Sequence, residues 1–117
     1  MTLTVYGLKN CDTCKKALKA LEGSGVAHRF VDIREEADRV AKVPAWLEAV
    51  GEGALVNRRS TTWRNLSEAD KSVASEDPAG LLIANPTLIK RPVIEQGAVI
   101  HVGWTPAVEA ALLPEAK

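Results

Sequence analysis

The chain has 117 residues, 46% of them hydrophobic, enough for a single domain that buries one core without disulfide staples or a structural metal. The 15 Lys and Arg residues balance 15 Asp and Glu, so a formal net charge of zero gives no general attraction to nucleic acid, an anionic membrane or an acidic polymer. No window approaches the roughly 18 apolar residues of a membrane span, and no basic segment leads into a long apolar one at Met1-Thr2-Leu3, so a soluble, cytoplasmic protein is expected.

Leu3-Thr4-Val5-Tyr6 is a short β-rich run, and Gly7 to Asn10 reads as a loop carrying the chain to a helix start near Cys11. Cys14, Ala17, Leu18 and Leu21 recur at helical spacing, and Gly23-Ser24-Gly25 should stop that helix. Val26 to Ile33 carries a second strand, so the first third reads as a βαβ unit with a parallel pair. From about 35 to 85 the pattern turns helical. Val40, Val43, Trp46, Leu47 and Val50 recur at helical spacing; a polar turn follows at Asn57 to Thr62; Ser67 caps a helix over Glu68 to Ser75; Leu81-Leu82-Ile83 fits one more short helix. Val93-Ile94 and Val99 to Val102 flank a Glu95-Gln96-Gly97 turn, a hairpin signature. Thr105 and Pro106 then suit the N-cap and first turn of a final helix with Val108, Ala111 and Leu112 on one face.

The only two cysteines form Cys11-Asp12-Thr13-Cys14, between the first strand and the first helix. In a reducing compartment such a pair is catalytic, redox-sensing or metal-binding rather than a permanent bridge. A thiol attacks only as its thiolate, and the open amides and dipole of a helix N-terminus favour that form. Cys11 sits where the effect is largest, so it reads as the nucleophile. Cys14, one turn further in, is placed to resolve it through a disulfide. Lys9, Lys15 and Lys16 suit a solvated face better than an electrostatic role. A zinc site would need two more ligands, and His28 and His101 lie on separate strands without ligand spacing; no metal is expected, and both histidines read as structural.

Two short basic elements stand out in this neutral chain: Asn57-Arg58-Arg59-Ser60-Thr61-Thr62-Trp63-Arg64 and Lys90-Arg91-Pro92. Guanidinium groups grip carboxylates and oxyanions through paired hydrogen bonds, so these loops suit an anionic substrate. Pro92, unable to donate to a sheet ladder, should stand at a strand start or edge. Trp46, Trp63 and Trp104 read as packing residues.

In Tyr6-Gly7-Leu8-Lys9-Asn10-Cys11-Asp12-Thr13-Cys14-Lys15-Lys16-Ala17, in Leu55 to Arg64 and in Ile89-Lys90-Arg91-Pro92-Val93, taken in order, the chain resembles the thioredoxin-fold family of glutaredoxin-coupled arsenate reductases (ArsC type), Spx regulators and YffB-type proteins. It is most similar to the YffB branch through Lys-Asn-Cys-Asp-Thr and Thr-Thr-Trp-Arg. The resemblance implies an α/β thioredoxin-like fold: βαβ, a helical insert, then ββα, with a mixed four-stranded sheet. It further implies Cys11 as nucleophile, Arg91 as an anion ligand, Arg59 as the arginine before the Ser-Thr-Thr segment, and Pro92 as the family's cis-proline. Asn10, Arg58, Arg59, Arg91 and Pro92 are accordingly the candidate substrate-binding residues, and Cys11, Cys14 and Arg91 the candidate catalytic ones.

The activity expected is glutathione-linked thiol-disulfide exchange by a monomer, with glutathione or another small thiol or disulfide as partner, glutaredoxin as a further candidate, and no bound cofactor. Two alternatives stay open. Arsenate reductases of this type place three arginines around the nucleophile, whereas here the first position aligns with Asn57 and the last falls in Val102-Gly103-Trp104. An Spx-like redox switch binding RNA polymerase would use the Cys11-Cys14 pair.

Overall fold

The computed structural model describes residues 2–113. In chain order, strand β1 (Leu3–Gly7) leads through a turn into helix α1 (Asp12–Gly23), and the chain returns as β2 (His28–Asp32). The insert follows as α2 (Arg39–Val50), α3 (Glu52–Leu55), α4 (Thr61–Arg64), α5 (Glu68–Glu76), α6 (Pro78–Ala84) and a 3-10 turn over Pro86–Leu88. Strands β3 (Val93–Gln96) and β4 (Val99–Val102) and helix α7 (Pro106–Leu112) complete the chain. These elements form two compact units: residues up to Ala37 together with those from Arg91 onward, and Asp38–Lys90.

The first unit is built on a mixed four-stranded sheet in the order β2-β1-β3-β4, with β1 parallel to β2 and antiparallel to β3. A β1 with partners on both sides has its backbone groups satisfied in the middle of the sheet, and its ends hold the head of α1 in place. Leu3 and Val5 share one face of β1 and pack with Ile94, with Leu21 of α1, and with Val108 and Leu112 of α7. Burying a leucine such as Leu21 contributes roughly 1.5–3 kcal/mol, which fixes α1 against the sheet.

In the second unit α2 contacts α3 and α6, and α5 contacts α6. Val43, Trp46, Leu55, Val56, Ala74, Leu81, Leu82, Leu88 and Ile89 are its buried apolar side chains. Pro44 lies inside α2, which continues past it to Val50. An antiparallel bridge, Val56 with Ile89, ties the end of α3 to the end of the insert; the Asn57 amide donates to the Leu88 carbonyl at 2.8 Å and the Lys90 amide to the Leu55 carbonyl at 2.8 Å.

Local signals were read correctly where a cap decides the outcome: the Ser67 side chain accepts from the Asp70 amide and the Thr105 side chain from the Val108 amide. Four expectations need correction. Gly7 is not loop but the last residue of β1, opposite Asp32. Thr61 and Thr62 are not turn but the first residues of α4, because the Ser60 side chain caps that helix by accepting from the Trp63 amide. Glu95 and Gln96 are ladder residues opposite Ile100 and Val99, so the hairpin turns at Gly97-Ala98, with Gly97 at φ 60. Ala111 is exposed, leaving Val108 and Leu112 as the buried residues of α7. No helix among the described residues is long and apolar enough to cross a membrane.

Candidate active site at the head of the first helix

Cys11 is the N-cap of α1, in extended conformation at φ −91 and ψ 121. The Lys15 amide donates to the Cys11 carbonyl at 2.9 Å, so the amides of Asp12, Thr13 and Cys14 precede the first intrahelical bond and add their positive field beside the sulfur. The Cys11 side chain makes no capping hydrogen bond, yet the nearby Cys14 main chain favours its ionised form. Cys11 and Cys14 are both free; Cys11 is half-buried and Cys14 fully buried.

The two thiols are pushed in opposite directions. Partial burial works against ionising Cys11, but it is outweighed by hydrogen bonds from the Cys14 amide, the Cys14 thiol and Arg91, and by the Arg91 charge, so the Cys11 pKa lies below the ordinary thiol value. Burial is also the largest influence on Cys14, and with the neighbouring Cys11 it pushes that thiol up to about 12, against the opposing pull of the Leu8 main chain and Arg91. Cys11 is therefore the more readily ionised of the two, and Cys14 stays an S–H donor at neutral pH. We expect a neutral iodoacetamide pulse to modify one cysteine per native chain, Cys11, and both after denaturation; peptide mapping that finds Cys14 labelled as fast would contradict this ordering.

Arg91 lies just before the return strand β3: the Arg91-Pro92 peptide is cis, Pro92 is buried, and the Pro92 carbonyl accepts from the Gly103 amide at 2.8 Å. Arg91 was expected from the sequence as a ligand for a substrate anion; the structure adds that its guanidinium reaches the Cys11 sulfur. Asn10 is exposed in the turn before Cys11. Lys9, Lys15 and Lys16 are exposed on the same segment. His28 donates its Nδ1 proton to the Val26 carbonyl at 2.8 Å, and His101 Nε2 donates to Gln96 Oε1 at 3.1 Å, each within its own strand neighbourhood.

The other basic element lies in the second unit, where Gly53, Val56, Asn57, Arg58, Arg59 and Lys90 line a cleft of about 410 Å³. Its arginines differ. Arg58 pairs with Glu52 at 2.6 Å and lies over the Trp63 ring, 5.1 Å from its centroid, so much of its donor capacity is already engaged. Arg59 has its amide held by Asn57 Oδ1 at 3.1 Å while its side chain is exposed. The Trp63 stack and the Glu52 pair were not anticipated, since neither follows from a loop sequence. Trp46 is fully buried, and Trp104 packs against the first unit's core, as expected of packing residues.

Among the described residues no three His, Cys, Asp or Glu side chains are grouped to hold a metal ion. Residues 6–111 match the ArsC family. The solved structure of a YffB protein is 37% identical, covering 96% of this chain and 99% of its own, with a TM-score of 0.85. An arsenate reductase (ArsC) related protein from Brucella melitensis is 38% identical, covering 94% and 93% respectively, with a TM-score of 0.76. The global transcriptional regulator Spx of Staphylococcus aureus is 23% identical over 104 residues, 87% of this chain and 79% of the regulator.

Proposed function

We propose, from the premise that this chain belongs to the ArsC family and has its thioredoxin-like α/β fold, that it is a cytoplasmic, glutathione-linked thiol reductase. The observation that carries the reading is the split between the two thiols: an accessible Cys11 whose ionisation is favoured, beside a buried Cys14 held protonated.

In the first step the Cys11 thiolate attacks the glutathione sulfur of a mixed disulfide. The substrate sulfur leaves with the electron pair of the broken S–S bond and takes a proton from water, and Cys11 becomes glutathionylated. In the second, a free glutathione thiolate attacks that adduct, releasing oxidised glutathione and restoring the Cys11 thiolate. Over the two steps one free glutathione is oxidised as the substrate sulfur is reduced to its thiol, and the oxidised glutathione released carries the sulfur taken from the mixed disulfide together with that of the free thiol. Cys14 is the slower resolving group, because its burial disfavours the thiolate it would need. Arg91 steadies the sulfur as its charge returns.

The test is turnover of a glutathionylated peptide with reduced glutathione, together with intact mass after exposure to oxidised glutathione. Cys14→Ser should keep at least about a third of wild-type turnover and accumulate the Cys11 adduct. Absence of both turnover and adduct in the wild-type protein would sink the proposal. Arsenate reduction is the weaker reading, since Val102-Gly103-Trp104 supplies no third arginine; arsenite formed above background with glutaredoxin present would reinstate it. A regulatory role is favoured by the likeness to Spx together with the paired cysteines. Co-purification with RNA polymerase in one oxidation state only would support that role over the enzymatic one.

A further inference from the structure

Gly7 has none of the ordinary reasons to be glycine. It is the terminal ladder residue of β1, paired with Asp32, and is not among the glycines at positive φ, which are Gly25, Gly51, Gly97 and Gly103. A glycine in a strand carries an entropic cost and packs no side chain. Space explains it instead: a Cβ built at Gly7 would stand 2.5 Å from Cys14 Sγ, a separation that real contacts do not reach. Its other neighbours, Cys14 Cβ at 3.4 Å and the Phe30 ring at 3.5 Å, are ordinary contacts. The sulfur is the one obstacle.

We propose that Gly7 is a positioning residue for the redox pair: its missing side chain forms the niche in which the buried Cys14 sulfur lies against β1, turned to donate its proton to Cys11. The proposal rests on the reading of Cys11 as nucleophile. A β-carbon at position 7 would displace Cys14 Sγ from its place against the strand, and with it the influence of that sulfur on Cys11 one helical turn away. The thiolate at Cys11 would lose one donor, and the geometry for closing a Cys11–Cys14 disulfide would be lost with it.

A double-mutant cycle separates this from a general effect on the strand. The rate of Cys11 alkylation is followed against pH in the wild-type protein, Gly7→Ala, Cys14→Ala and the Gly7→Ala/Cys14→Ala double variant. In the Cys14 background, Gly7→Ala should slow alkylation at pH 7 roughly fivefold or more, the size of one lost charge-assisted hydrogen bond, and move the profile to higher pH. In the Cys14→Ala background, where no sulfur fills the niche, Gly7→Ala should leave the profile in place. Equal shifts in both backgrounds, or none in either, would overturn the proposal. If Gly7→Ala alone fails to fold while the double variant folds, the sulfur is again the obstacle and the proposal stands; if neither folds, the strand itself requires glycine and the proposal falls. A wild-type Cys11 that alkylates only in the ordinary thiol range would instead undercut the nucleophile reading, a separate outcome of the same measurement.

Discussion

Cys11→Ser is expected to reduce reductase turnover to background, a loss of about a thousandfold or more by analogy with removing other enzymes' nucleophiles. A serine hydroxyl in the same place meets the same Cys14 amide and the same Arg91, but these influences are far too small to ionise an alcohol at neutral pH, and oxygen is a poor nucleophile toward a disulfide sulfur. The fold should survive, because the N-cap needs an extended backbone and serine is a better cap than cysteine. Circular dichroism and melting temperature would therefore stay at the wild-type values or rise slightly while activity vanishes. Retained activity in a correctly folded Cys11→Ser protein would remove the sulfur from the reaction altogether.

Arg91→Ala is expected to slow turnover roughly tenfold at pH 7, with recovery at alkaline pH. The sign follows from the direction of the shift. Arg91 favours the thiolate, so deleting it raises the Cys11 pKa, lowers the fraction ionised at neutrality, and moves the acid limb of the rate profile to higher pH. Above the new pKa the sulfur is ionised in both proteins and the difference narrows. Arg91→Lys should fall between them, since a point charge keeps the attraction but not the guanidinium geometry. A loss of equal size at every pH would mean that Arg91 serves the substrate and leaves the sulfur alone. A split between KM and kcat would locate that role further.

The place of the cysteine pair is legible in the sequence because its information is local. Cys11 and Cys14 stand three apart at a strand-to-helix junction, and the apolar spacing of Ala17 and Leu21 announces the helix that follows. Ser67 and Thr105 were equally legible, since a cap is decided within four residues. The hairpin turn was misplaced by its strand ends: Glu95 looks like a turn residue until Ile100 pairs with it, and that register depends on the opposite strand. Gly7 reads as loop for a similar reason, since its ladder partner Asp32 lies beyond a whole helix.

By itself, then, the sequence determined the α/β class, the element order with its insert, and the place of the cysteine pair at the start of the first helix, all consequences of short-range periodicity and capping. Tertiary structure alone decided how the two thiols differ in their tendency to ionise. Burial of Cys14 against β1 holds it protonated, the return of the chain at Pro92 brings the Arg91 guanidinium to Cys11, and the Glu52 pair and Trp63 stack distinguish Arg58 from Arg59. Each of these is a desolvation or a charge contact between residues distant along the chain. Such contacts exist only once the backbone has closed around them.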